Sequence, residues 1–127
     1  MKKILILGSS GFIGKNFSLF FQKNKKFKCY GTYFKNYPKI LKNKIVLKKV
    51  NLKNENQVKG LFKSIKPDII IQAAATTSGA KDIVSKPYMH VNDNAIINSI
   101  VTKASYDYKV RHFIFFSCTV MYKASNK

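Results

Sequence analysis

The chain has 127 residues, which suffices for a single domain with a modest hydrophobic core, and its 46% hydrophobic content excludes an intrinsically disordered protein. The formal net charge of +19 would suit a polyanion such as nucleic acid, but the lysines are spread along the whole length and arginine is nearly absent. Nucleic acid is therefore not the expected partner, and no apolar stretch approaches the length of a membrane span.

The first part of the chain predicts a strand, a helix and two further strands. A strand is predicted at residues 3–7, because the continuous apolar run of four residues before Gly8 is typical of a strand buried on both faces of a parallel sheet. A helix follows from Phe12 and ends in a lysine-rich turn at 23–26, and strands are predicted at 27–33 and 44–50. The helical spacing predicts one buried stripe on this helix, made of Ile13, Phe17, Phe20 and Phe21.

The second part predicts two more helices and two more strands. Asn54 is the predicted N-cap of a helix that Pro67 prevents from continuing, and residues 68–74 form the fourth strand. A long helix is predicted from Pro87 to about Tyr108, and residues 112–117 form the fifth strand. The predicted apolar faces of these helices are Val58, Leu61, Phe62 and Ile65 for the first, and Ile97, Ile100, Val101 and Ala104 for the second.

The alternation of apolar strands with helices determines the expected fold class. It predicts an α/β fold with a doubly wound parallel sheet of about five strands. In such sheets, ligands bind beyond the carboxyl ends of the strands, where the strand order reverses.

A glycine-rich loop joins the first predicted strand to the first helix. Gly8 permits a sharp turn, Gly11 lets the backbone approach a pyrophosphate, and Gly14 lets the helix pack closely on the strand. The helix N-terminus adds free N–H groups and a partial positive charge. A plain structural turn is the alternative, but the strand before the loop and the helix after it favour a dinucleotide phosphate site.

The GxxGxxG spacing of this loop, together with "IKPDIIIQAAA" and "FFSCTVMY", resembles the extended short-chain dehydrogenase/reductase family of NAD-dependent epimerases, dehydratases and reductases. GDP-fucose synthase-like members look most similar, through "AAATTSGAKDI" and the "SCxxMY" ending. The resemblance covers the whole chain as the N-terminal half of a family member. It implies a Rossmann-like sheet truncated after the fifth strand. Residues 1–127 would then be one dinucleotide-binding domain that lacks the C-terminal catalytic and substrate-binding part.

The resemblance also implies which residues contact the cofactor. No acid follows the second strand, where Asp or Glu would favour NAD; Tyr33 there would meet the adenine and Lys35 a 2′-phosphate, so NADP is preferred over NAD. Asn92 matches a family Asn that steadies the active site, and Thr77 approaches the nicotinamide or sugar. Alternatively, Lys35 and Asn92 are ordinary surface residues, and the alanines at 73–75 serve only tight helix packing. The predicted cofactor-binding residues are Gly8, Ser10, Gly11, Phe12, Ile13, Gly14, Tyr33, Lys35, Asn51, Leu52, Ala73, Ala74, Ala75, Thr76 and Asn92.

The catalytic part of the family pattern is incomplete. Alignment on Tyr122 puts Cys118, or Thr119 beside it, where the family has the Ser or Thr that hydrogen-bonds the reacting sugar; alternatively both only terminate the strand. The family's Tyr-x-x-x-Lys pair is absent, because Asn126 stands four residues after Tyr122.

Three functions follow from these observations. The first is the NAD(P)-binding portion of a nucleotide-sugar epimerase, dehydratase or reductase, which we expect to be inactive alone. The second is a non-catalytic dinucleotide-binding or redox-sensing module, and the third is a polyanion-binding protein. The expected substrate of the full-length protein is a nucleotide sugar. Because truncation leaves a sheet edge uncovered, we expect poor stability alone or self-association, including a homodimer through the helix at 88–108.

The cysteines and histidines exclude two further classes of site. Cys29 and Cys118 form no CxxC motif and no disulfide framework, which favours a reducing cytoplasm. His90 and His112 have no partners at metal-ligand spacing, so no metal is expected.

Overall fold

The computed structural model describes residues 1–77 and 80–117. Within these ranges, five parallel strands form one sheet in the order β3-β2-β1-β4-β5. The predicted α/β fold with a Rossmann-like parallel sheet is therefore confirmed. The strands are β1 (Lys2–Leu7), β2 (Phe27–Tyr33), β3 (Val46–Lys49), β4 (Ile69–Gln72) and β5 (His112–Phe115), and the helices are α1 (Phe12–Phe21), α2 (Glu55–Ile65), α3 (Ala80–Ser85) and α4 (Pro87–Asp107).

Strand β1 lies at the middle of the sheet and contributes to a core on each face. Leu5 and Leu7 belong to the cluster that packs under α2 and α4, whereas Ile4 and Ile6 belong to the cluster under α1. All four side chains are at most 1% exposed. This double burial is why the strand appears in the sequence as an unbroken apolar run.

Helices α2 and α4 cover one face of the sheet with the predicted residues. Asn54 caps α2, since its Oδ1 accepts from the Gln57 backbone N–H at 3.0 Å, and Lys66 ends the helix in a left-handed conformation directly before Pro67. The predicted faces are confirmed: Ile100 is partly buried, and Val58, Leu61, Phe62, Ile65, Ile97, Val101 and Ala104 are buried.

The predicted buried stripe of α1 is wrong at Ile13 and Phe20, which are 44% and 66% exposed. The residues of α1 that are buried are Gly14 and Ser18. A Cβ atom on Gly14 would lie only 2.2 Å from the Gly8 carbonyl oxygen, so the helix approaches the sheet through its small residues. This contact turns Phe12, Ile13 and Phe20 outward, and only Phe17 and Phe21 of the predicted stripe pack against the core.

The remaining differences from the prediction concern short elements. The strands predicted at 44–50, 68–74 and 112–117 are each shorter in the structure, because their terminal residues lie outside the regular ladder. Helix α3 and a 3-10 turn at Lys39–Leu41 were not predicted, since neither is long enough to show a periodic pattern. No helix within residues 1–77 and 80–117 is both long and apolar enough to cross a membrane.

Candidate functional site

A cleft of about 650 Å³ opens where β1, β2, β3 and β4 end, at the edge of the sheet that holds the carboxyl ends of the strands. The strand order reverses here, because β1 pairs with β2 on one side and with β4 on the other. The structure brings most of the predicted cofactor-binding residues together around this cleft: Gly8, Ser10, Gly11, Tyr33, Lys35, Asn51, Leu52, Ala73, Ala74, Ala75 and Thr76.

The glycine loop forms the wall of the cleft next to β1. Gly8 has a φ of +81°, and a Cβ atom there would lie 2.7 Å from the Ala74 Cα, so this position requires glycine. The Gly11 N–H donates to the Gly8 carbonyl at 3.1 Å and closes the turn. A Cβ atom on Gly11 would meet nothing closer than 3.5 Å, so the space beside Gly11 is open.

Phe12, Ile13 and Gly14 do not line the cleft. Phe12 is 80% exposed in the first turn of α1, and Gly14 serves the close packing of helix on strand. The first bond of the helix runs from the Lys15 N–H to the Gly11 carbonyl at 2.9 Å. The N–H groups of residues 12–14 therefore have no carbonyl acceptor within the helix. They are the donors that a helix N-terminus offers to an anion.

The loop after β4 is held against α4 by Asn94 rather than Asn92. The Asn94 Oδ1 accepts from the Thr76 N–H at 2.7 Å, and its Nδ2 donates to the Thr76 carbonyl at 3.2 Å. Asn92 is exposed and does not line the cleft. A further side-chain hydrogen bond joins β4 to α4, because the Gln72 Nε2 donates to the Asn98 Oδ1 at 2.9 Å.

An ion pair joins the two sides of the cleft. The Lys53 Nζ lies 3.1 Å from the Asp93 Oδ2, which connects the loop after β3 to α4, and the Thr76 Oγ1 lies 3.4 Å from the same carboxylate oxygen. Lys35 is exposed at the end of β2. The cleft thus has two lysines, one acid and a helix N-terminus, a charge distribution that favours an anionic ligand.

Several lining residues were missed from the sequence. Met89, Asp93 and Ile97 are spaced one turn apart on α4, but this mixed face gave no apolar signal, and Ile97 was expected only in the core. Thr77, expected near the nicotinamide or sugar, also lines the cleft. The other unpredicted lining residues are neighbours of predicted ones: Thr32, Phe34, Asn36, Val50 and Lys53.

The predicted catalytic residues Cys118 and Thr119 lie outside the described residues, as does Tyr122. Among the side chains that the structure describes, no group of three His, Cys, Asp or Glu residues converges on one point. Burial raises the pKa of the Cys29 thiol to about 12, so this side chain remains an inert thiol in the core under α1.

The model of the family described as NAD dependent epimerase/dehydratase matches residues 4–127. The UDP-glucose 4-epimerase of Bifidobacterium longum, solved with NAD+ and UDP, superposes with a TM-score of 0.84 at 18% identity over 99% of this chain. The UDP-glucose 4-epimerase of Thermotoga maritima, solved with UDP-glucose, does so with a TM-score of 0.78 at 22% identity over 89% of this chain. At these identities the likeness shows the fold alone.

A GDP-D-glycero-L-gluco-heptose synthase from Campylobacter jejuni, solved in the presence of NADPH, superposes with a TM-score of 0.76 at 26% identity over 98% of this chain. The chain covers 40%, 37% and 33% of the lengths of the Bifidobacterium, Thermotoga and Campylobacter proteins, respectively. Among curated proteins, none is significantly similar to this chain.

Proposed function

Because this chain belongs to the NAD dependent epimerase/dehydratase family, we propose that its cleft binds NAD(P) and that it is the cofactor-binding part of a nucleotide-sugar epimerase, dehydratase or reductase. The observation that carries this proposal is the glycine loop, where Gly8 and Gly14 permit backbone contacts that no other residue allows. The loop places open space and a helix N-terminus at the point where the strand order reverses.

The residues of the cleft fit a dinucleotide. The cleft volume of about 650 Å³ lies within the range of about 300–1,000 Å³ that is usual for small-molecule sites. We propose that the pyrophosphate binds beside Ser10 and Gly11, and that the adenosine lies between Tyr33 and the loop of Asn51 and Leu52. When bound, the nicotinamide supplies the donor or acceptor for a hydride.

The remaining residues divide by position along the same ligand. We propose that Ala73, Ala74 and Ala75 face the central part of the dinucleotide, since their small side chains leave room for it. Thr76 and Thr77 would lie towards the nicotinamide, with Thr76 held in place by its bonds to Asn94.

We further propose NADP as the preferred cofactor. An acid at the end of β2 would bind the adenosine 2′-OH of NAD, whereas the residues that line the cleft there are Tyr33, Phe34, Lys35 and Asn36. Lys35 is the cation available to a 2′-phosphate on this side of the cleft.

A thermal-shift titration of the wild type with NADP and NAD tests the nucleotide site. We expect a saturable rise in Tm, with NADP effective at lower concentration; a ligand at about 100 times its Kd adds about 2.7 kcal/mol to the free energy of unfolding. Gly11→Asp should weaken binding roughly a hundredfold or more, because like charges about 4 Å apart repel by about 4 kcal/mol at an effective dielectric constant near 20.

Gly11→Asp is a sharp control because it should not harm the fold. Gly11 is the N-cap of α1 with φ −77° and ψ 168°, and Asp is a favourable N-cap residue. We expect the free variant to melt at or above the wild-type Tm. Equal ligand-induced shifts in wild type and variant would contradict the site, and no shift with either nucleotide in a folded wild type would contradict the function.

Replacing Lys35 by Ser tests the cofactor preference. We expect roughly tenfold weaker NADP binding, equivalent to about 1.4 kcal/mol, and unchanged NAD binding, both measured by calorimetry. Lys39→Ser is the matched control, because Lys39 is also exposed but does not line the cleft. Equal loss for both nucleotides, or loss in the control, would argue against a 2′-phosphate contact at Lys35.

We propose that the 127 residues lack part of the catalytic residues of the family. No Tyr in the 127 residues is followed by Lys four positions later, so we propose that this chain alone transfers no hydride to a nucleotide sugar.

A non-catalytic dinucleotide-binding module is the alternative function. The likeness to GDP-fucose synthases stays a prediction. We place the protein in the cytoplasm as part of the same proposal, because its cysteines suggest no disulfide framework.

Helix α4 supports the proposal of a homodimer. One face packs against α2 and the sheet, while Tyr88, Val91 and Tyr106 are 60%, 68% and 85% exposed. These three residues share the opposite face, because positions 88, 91 and 106 fall within about 60° of one another at 100° per residue. A second copy of the chain would remove these three side chains from water.

A further inference from the structure

Three buried hydroxyl groups lie directly beneath the glycine loop. Ser9 and Ser18 are 0% exposed and Thr32 is 1% exposed. Among the side chains that the structure describes, the other buried polar ones are Gln72 and Ser105. Most of the buried polar side chains described therefore converge on one short loop, although none of them is one of the three glycines of the motif.

Thr32 binds the loop at two consecutive residues. Its Oγ1 accepts from the Gly8 N–H at 3.0 Å, and its backbone carbonyl accepts from the Ser9 N–H at 2.7 Å. The Thr32 hydroxyl thus takes the place of the β2 carbonyl oxygen that would accept from the Gly8 N–H if the hydrogen bonding between β1 and β2 continued regularly. This contact holds the residue with positive φ at the end of β1.

Ser9 and Ser18 connect the loop to α1. The Ser9 Oγ donates to the Ile6 carbonyl at 3.1 Å and accepts from the Ser18 Oγ at 3.1 Å. The Ser18 Oγ also lies 2.7 Å from the Gly14 carbonyl, and its single proton is shared between these two acceptors. The network therefore joins β2, the glycine loop and the first turns of α1.

The neighbouring backbone is shaped to hold these hydroxyl groups. A Cβ atom on Gly31 of β2 would lie 2.4 Å from the Ser9 Oγ, so glycine at this position makes room for the serine. Apolar residues would fill the same space without requiring hydrogen bonds, and buried hydroxyl groups stabilise only when their bonds are made. The cost of burying three hydroxyl groups suggests that they act on the loop geometry.

We propose that Thr32, Ser9 and Ser18 are positioning residues for the phosphate end of the cleft, because they fix the Gly8–Gly14 backbone that would bind the pyrophosphate. This inference rests on the proposed function. It identifies a buried hydroxyl network, remote from the ligand except where Thr32 borders the cleft, as a determinant of dinucleotide affinity.

The test compares two ligands across three variants of the full chain. NADP contains the pyrophosphate, whereas 2′-AMP carries the adenine and the 2′-phosphate without it. We expect Thr32→Val and Ser18→Ala to weaken NADP binding roughly tenfold and to leave 2′-AMP binding unchanged, and Thr32→Ser, which keeps the acceptor, to bind NADP as the wild type does. Should Thr32→Val fail to fold, Ser18→Ala and Thr32→Ser carry the comparison.

Ser105→Ala is the matched control. Ser105 is a buried helix serine whose Oγ donates to the Val101 carbonyl at 2.7 Å, as Ser18 does to the Gly14 carbonyl, but it lies on α4 away from the cleft. We expect Ser105→Ala to lower the Tm of the free protein about as much as Ser18→Ala while leaving NADP affinity intact. If Ser18 only stabilised the fold, Ser18→Ala and Ser105→Ala would change the NADP affinity by the same amount.

A ligand-free readout separates this inference from the proposed function. Hydrogen exchange of the Gly8 amide, followed by NMR, should be faster in Thr32→Val than in the wild type. If the wild type binds no nucleotide, the proposed function fails and this exchange rate alone decides whether Thr32 holds the loop. Unchanged exchange in Thr32→Val, unchanged NADP affinity in Thr32→Val and Ser18→Ala, or equal loss of NADP and 2′-AMP binding would each overturn the inference.

Discussion

Replacing Gly14 by Ala is expected to lower the free energy of unfolding by about 3 kcal/mol, the upper end of the range for overpacked sites. The new Cβ would lie 2.2 Å and 2.7 Å from the carbonyl oxygen and carbon of Gly8, and 3.1 Å from the Ser9 Cα. All three are backbone atoms, so no side chain can rotate away and α1 must move off the sheet. Urea denaturation of the free protein measures the change.

Gly60→Ala is the matched control for this glycine. Gly60 lies in the middle of α2, and a Cβ atom there would meet nothing within 4 Å. Alanine is about 1 kcal/mol more favourable than glycine in a helix interior, so we expect Gly60→Ala to stabilise the protein by about that amount. Two substitutions of the same kind should therefore act in opposite directions. A stable Gly14→Ala variant would show that α1 does not approach the loop this closely.

Truncation of Phe62 to Ala is expected to lower the free energy of unfolding by about 3–5 kcal/mol. Phe62 is 0% exposed between α2 and the sheet, and its ring centroid lies 5.8 Å from that of Tyr108 at the end of α4. The cavity would open where two helices and the sheet meet. Urea denaturation of wild type and variant measures the loss, with the dependence of the free energy of unfolding on urea concentration (m) held equal for the two proteins.

Phe20→Ala provides the comparison on the other side of the sheet. Phe20 is 66% exposed on α1 and contacts the edge of the Phe21 ring, so we expect a loss below about 1 kcal/mol. The helical spacing of the sequence places both Phe20 and Phe62 on predicted apolar faces. A large loss at Phe20 would favour the sequence-based stripe over the observed orientation of α1.

The contrast between these helices explains how much of the fold could be predicted. Helix α2 packs through large residues at regular spacing, so its periodicity identifies its buried face. Helix α1 packs through Gly14 and Ser18, and small residues carry no hydrophobic signal. Its orientation follows from a contact with Gly8 across the loop, which a periodicity argument on the helix alone does not include.

The site could be predicted where its residues follow strands in sequence. Gly8, Tyr33, Asn51 and Ala74 each come directly after or at the end of a predicted strand, and parallel strands bring these positions to one edge. The contribution of α4 could not be predicted, since it depends on how the helix crosses back over the sheet. The pairing of Lys53 with Asp93 is long-range in sequence and leaves no local pattern.

The strand order also has a consequence for how the chain acquires its binding surface. Register pairs directly before the cleft join residues that are distant in sequence: Ile6 pairs with Gly31, and Leu7 with Gln72. Closing the longer of these loops loses more chain entropy and slows folding relative to local helix formation. During synthesis, the glycine loop emerges well before Ala73, Ala74 and Ala75, which line the cleft opposite it, so the proposed nucleotide site is complete only after β4 has paired with β1.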